Sequence, residues 1–105
     1  MKKRNVFYLV ETVQPWVGVN RFEIEPHEVT ANHKLFRDEN EAYDAFHLDC
    51  KLWTTWGAGA CSVREFNTFF GFDRPDGLLQ MRQFIVTIDG EEYVGYTKII
   101  KLKAK

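Results

Sequence analysis

The stretch DENEAYDAFHLDCKLWTTWG, Asp38 to Gly57, decides the architecture, because its apolar residues recur at helical spacing. Set on a wheel of about 100° per residue with Ala42 at zero, Trp53, Phe46, Cys50 and Tyr43 fall within about 100° on one side, and Trp56, Ala45 and Leu52 within about 80° on the other. Half of the helix is therefore a core face. Asp38 stands before it as an N-cap with Glu at the third helical position, a capping-box pattern, and the acids of Asp38-Glu39-Asn40-Glu41 gather where the helix dipole is positive. Gly57 is the C-terminal stop.

Three residues of this helix bear on chemistry. Cys50 falls inside the apolar face, where a thiol acts as a small hydrophobe with a raised pKa and little reactivity. His47 lies at the border of that face, one turn from Cys50. Asp49 lands among Trp56, Ala42 and Trp53, so a carboxylate occupies a face that should be dry. It must be paired, hydrogen-bonded or protonated. An indole N–H from a neighbouring tryptophan, an arginine such as Arg64, or a looser helix end each accounts for it plainly. An acid or base in a pocket is the functional alternative.

Outward from the helix, Val6 to Val13 reads as a central strand, apolar on both faces. Gln14-Pro15-Trp16 breaks it. Val17 to Glu25 reads as a second strand with one wet face, ended by Pro26, and His27 to Lys34 as a loop or a short third strand. After the helix come a strand over Ser62 to Phe70, a turn over Gly71 to Gly77, and strands over Gln80 to Ile88 and Glu92 to Leu102 joined at Asp89-Gly90. A two-residue loop there places Phe84 and Val86 on the face of Tyr93, Gly95 and Thr97. A three-residue loop places them with Val94, Tyr96, Ile100 and Leu102, and is preferred because it gathers the apolar residues on one side. The expected fold is α+β: a mostly antiparallel sheet of about five strands with one helix on one face, in the order β-β-(β)-α-β-β-β.

The composition agrees with one domain spanning residues 1–105. With 45% hydrophobic residues, including nine Phe, four Tyr and three Trp, the chain can build a core without disulfides, metals or any cofactor. The opening Met-Lys-Lys-Arg is followed by an apolar run that Glu11 interrupts, and no run approaches eighteen apolar residues, so neither a signal peptide nor a membrane span is expected. A cytoplasmic location follows, that of the host for a phage-encoded chain. Cys50 and Cys61 read as two free thiols in a reducing compartment, with a single disulfide as the alternative.

Net charge is −1 but unevenly spread, with Lys2, Lys3 and Arg4 at one end and Lys98, Lys101, Lys103 and Lys105 at the other. The other seven basic residues face all fifteen acids. Such polarity either steers charged partners or keeps the ends solvated.

Familiar catalytic and ligand patterns fail on spacing or context. His47 and Cys50 could share a metal across one helical turn, but His27, His33 and Cys61 supply no second closely spaced pair, so no metal is expected. A Cys-His nucleophile fails because Cys50 reads as buried and Cys61 begins a strand. The Gly57-Ala58-Gly59-Ala60 segment follows a helix and precedes a strand, the reverse of a phosphate loop.

In NTFFGFDRPDG, Asn67 to Gly77, the adjacent rings of Phe69 and Phe70 must point to opposite faces of their strand. Together with Phe72, Arg74 and the distant Trp16 they form the expected partner-binding residues, in a composition typical of protein interfaces. The expected function is that of a small non-catalytic protein-binding domain, such as a phage- or mobile-element-encoded regulator or inhibitor of a host protein. A homodimer through the same patch is a variant. A nucleic-acid binder using the basic termini with Tyr8, Tyr93 or Tyr96 is the alternative, and a small enzyme built on Asp49 and His47 the reserve.

Overall fold

A computed structural model describes residues 6–14, 30–56, 62–71, 75–88 and 90–103. They form strands β1 (Val6–Gln14) and β2 (Thr30–Phe36), helix α1 (Glu39–Trp56), and strands β3 (Ser62–Phe70), β4 (Leu78–Ile88) and β5 (Glu91–Lys103). The strands make one antiparallel sheet in the order β2-β1-β5-β4-β3, with α1 across one face. The α+β architecture is thus the one the hydrophobic pattern predicts.

The helix starts as its cap predicts. The Asp38 carboxylate accepts the Asn40 N–H at 3.3 Å, and the Asp38 carbonyl accepts the Ala42 N–H at 3.1 Å. Its apolar half buries Ala42, Phe46, Cys50 and Trp53 against Tyr8 and Val10 of β1, Phe84 and Val86 of β4 and Ile99 of β5. The indole of Trp53 stacks on the Phe84 ring with centroids 4.6 Å apart and an interplanar angle of 11°.

One open expectation is resolved and one is corrected. Thr30 to Phe36 is a regular edge strand, paired along β1 from Tyr8↔Phe36 to Gln14↔Thr30, and the expected loop-or-strand segment therefore resolves as strand. The β4–β5 register runs Phe84↔Gly95 and Val86↔Tyr93 down to Ile88↔Glu91, which leaves a two-residue loop with Gly90 at φ 82°. Phe84 and Val86 thus share their face with Tyr93, Gly95 and Thr97. Val94, Tyr96, Ile100 and Leu102 turn to the far side, which the preferred three-residue loop would have buried. The physical reason is above the sheet: Trp53 lies on Phe84, the neighbouring Gly95 puts no side chain on that face, and the Thr97 hydroxyl meets the indole N–H at 2.8 Å. Pairing quality outweighs the count of apolar residues gathered on one side.

β1 is paired on both edges, as a central strand should be, but only one of its faces lies under α1. Phe7, Leu9, Glu11 and Val13 occupy the other. The predicted strand over Val17 to Glu25 lies outside the described residues, as do Trp16, His27, Gly57 to Cys61, Phe72 and Arg74. Among the described residues no helix is long and apolar enough to cross a membrane.

Candidate functional site

Beneath the helix, Asp49 is 2% exposed and stands at the end of a hydrogen-bonded chain. The Trp53 Nε1–H donates to Thr97 Oγ1 at 2.8 Å, and the Thr97 and Thr12 hydroxyls lie 2.9 Å apart. Thr12 donates to Asp49 Oδ2 at 3.2 Å, and the Lys34 ammonium donates to Oδ1 at 2.9 Å. Since an indole only donates and an ionised carboxylate only accepts, the protons run one way, from Trp53 through Thr97 and Thr12 to Asp49. Among the described residues, no buried side-chain nitrogen or oxygen lacks a partner.

Of the expected partners for Asp49, the indole belongs to the network but acts two hydroxyls away. Arg64 takes no part: its strand register puts it on the other side of the sheet. Thr12 and Lys34 were not singled out from the sequence; the only signal was polar residues at inward positions of two strands. His47 is exposed, with its ring stacked on Tyr43 at 6.1 Å and edge-on to Phe46 at 5.3 Å. The fold directs Asp49 inward and His47 outward, so the two face different surroundings. Cys50 is buried, and burial pushes its thiol up to about 12 despite the nearby Arg82 guanidinium. Among the described residues no three His, Cys, Asp or Glu side chains converge as metal ligands.

On the face away from α1, Glu11 forms a second polar cluster. It accepts from the Tyr96 hydroxyl and from His33 Nε2, the latter at 2.6 Å, and lies 3.4 Å from the Lys98 ammonium. Burial alone would raise its carboxyl, but the Tyr96 and His33 hydrogen bonds and the Lys98 charge hold it below its ordinary value of 4.5. Tyr96 is pushed the other way, up to about 12, by burial and by its bond to the Glu11 carboxylate. Glu65 is also held low, chiefly by its two-pronged pair with Arg82.

These two depressed carboxyls contribute stability that is fully present above about pH 4.5 and lost as pH falls through their folded-state values. Glu11→Gln should cost about 1 kcal/mol at pH 7 and flatten the acid side of the stability profile. Urea midpoints at pH 7 and pH 3.5 measure both effects. An acid profile as steep as that of the wild type would refute the assignment to Glu11.

The third feature is the β3 edge. Phe69 pairs with Met81 and Phe70 with Gln80, so the two rings take opposite faces, and both are exposed, at 38% and 55%. Phe66, at a β-bulge between Glu65 and Asn67, is 42% exposed. The bulge explains why a third ring joins them: the extra residue leaves the ladder and breaks the alternation. Only the Phe69-Phe70 part of this patch was expected from sequence.

No protein-family model, curated protein or solved structure matches the chain. The reading of function therefore rests on geometry alone.

Proposed function

We propose that this chain is a non-catalytic protein-binding domain that docks through the β3 edge, with Phe66, Phe69 and Phe70 as anchors and Trp16, Phe72 and Arg74 as further contacts. The observation that carries this reading is the exposure of three phenylalanines on one edge strand. Isolated exposed apolar residues are ordinary, but three aromatic rings within five residues of one sheet edge, presented on both of its faces, give that edge the composition of interface hot spots. The Glu65–Arg82 pair and the 2.6 Å Thr68–Glu65 hydrogen bond hold the strand between the rings, which lowers the entropic cost of binding. In the polar cluster under α1 the Asp49 carboxylate is itself buried and partnered on both oxygens, with Lys34 covering it from the solvent side, which favours a structural role for Asp49 over a catalytic one. A regulator or inhibitor of a host protein, acting in the host cytoplasm, fits a small chain of this kind.

One observation favours a second reading. β1 and β5 pair with Val6 opposite Lys103 and Tyr8 opposite Lys101, so Lys101 and Lys103 lie beside the start of β1, the strand that Lys2-Lys3-Arg4 precede in sequence. Tyr8, however, is buried and hydrogen-bonded to Glu39, which removes one of the proposed stacking rings.

The test is capture of a partner from the producing or infected cell with the tagged chain, followed by calorimetry with the captured protein. Phe70→Ala should weaken binding by at least about 1 kcal/mol while circular dichroism stays unchanged. Equal affinity of the folded variant would reject the β3 edge. Tight, steeply salt-dependent binding of single-stranded nucleic acid, abolished by neutralising Lys101 and Lys103, would establish the second reading instead.

A further inference from the structure

We infer that the sheet face turned away from α1 is an interface between two copies of this chain. An antiparallel sheet covered on one side ordinarily presents polar residues on the other. Here the pairing register lines up Leu35, Leu9 and Ile100 across β2, β1 and β5, then Phe7 beside Leu102, and Ile85 beside Val94. Leu35 is 60% exposed, Val94 57% and Leu102 38%. The far face is thus apolar at both ends, and the two-residue β4–β5 loop is what turns Val94, Ile100 and Leu102 that way.

The middle of this face is polar, and its Glu11, His33, Tyr96 and Lys98 side chains already satisfy one another. Glu11 holds Tyr96, His33 and Lys98, and the Lys98 ammonium also sits 5.1 Å from the Tyr96 ring centroid. Covering the face would orphan none of these groups, so the desolvation penalty is reduced at the outset. The charges are of both signs and close to balance, which suits neither a nucleic acid nor a strongly charged peptide. It suits a second copy, because a twofold axis brings the Glu11–Lys98 pair of one chain toward the same pair of the other.

The area is sufficient. Five strands about 4.8 Å apart, contributing about seven residues each at about 3.3 Å, give roughly 1,100 Å² over two copies, just above the roughly 1,000 Å² that a specific interface should clear. Two sheets would stack about 10 Å apart with their strands offset by about 30°, as in a β-sandwich.

The far face includes Phe69 but not Phe70, whose register turns it to the helix side, so the experiment separates this interface from docking through Phe70. Sedimentation velocity of the full chain between 1 and 100 µM should give a species of twice the 12.4 kDa chain mass at the upper concentration. Leu35→Glu and, separately, Val94→Lys should each weaken dimerisation at least tenfold with an unchanged circular dichroism spectrum. Both side chains are more than half exposed, so folding does not depend on either. Phe70→Ala should leave the mass unchanged. A wild type that stays monomeric at 100 µM, as it would if another part of its own chain or a foreign protein occupied the face, overturns the inference. So does a dimer that both charge variants leave intact, or one that only Phe70→Ala dissolves.

Discussion

Trp53→Ala should remove about 3–5 kcal/mol of stability, the range for truncating a fully buried aromatic, a large share of the roughly 5–15 kcal/mol that holds an ordinary domain together. Trp53 has no exposed surface, stacks face to face on Phe84 and anchors the donor end of the buried network. Its loss opens a cavity between α1 and the centre of the sheet and leaves Thr97 without the indole proton. Trp53→Phe should recover most of the packing but not the hydrogen bond, and so fall between wild type and Ala. Urea denaturation followed by circular dichroism measures all three. A loss for Trp53→Ala of less than about 1 kcal/mol, the ordinary size of a point-mutant effect, would contradict the packing described.

The second large effect concerns Asp49. Asp49→Ala should cost about 2–3 kcal/mol, because the Thr12 hydroxyl loses its acceptor in a dry site while Lys34 can turn to water. The Lys34 side chain is 39% exposed, against 3% for Asp49. Lys34→Met should cost at least as much, since it leaves the buried carboxylate without its cation. Asp49→Ala combined with Lys34→Met removes both charges, and the double variant should be more stable than the sum of the two single losses by about 1 kcal/mol or more. Strict additivity in a double-mutant cycle would mean that the two groups do not interact.

The helix was legible in the sequence because its cap, its apolar period and its terminal glycine agree over twenty residues. Asp49 was legible as an anomaly, since the wheel alone places a carboxylate on the dry side. Its partners were not: Thr12 and Thr97 are 85 residues apart in the chain, and no local pattern joins them. β2 was obscure because TANHKLF has little apolar alternation, which an edge strand tolerates: on its helix side stand the polar Asn32 and Lys34 beside the apolar Phe36. The β4–β5 loop was misjudged because apolar residues were assumed to belong together under one helix, whereas the sheet distributes them to both faces. The opposition of Phe69 and Phe70 followed from strand geometry alone. Phe66 did not, because a bulge cannot be inferred from alternation.

The placement of β5 governs how the molecule comes into being. The last of the five strands to be synthesised is the middle one of the sheet, flanked by β1 on one side and β4 on the other. β3 and β4 can pair early as neighbours, and β1 and β2 can meet across their connection, but these two pieces share no strand until Glu91 to Lys103 is inserted between them. Until then the two strand edges that will flank β5 remain open, and Trp53 and Thr12 lack their Thr97 partner. Folding should accordingly be limited by a late, non-local pairing step, slow for a chain of this length. A ribosome-bound intermediate lacking β5 would expose two sticky edges, which makes the nascent chain the form most in need of a chaperone.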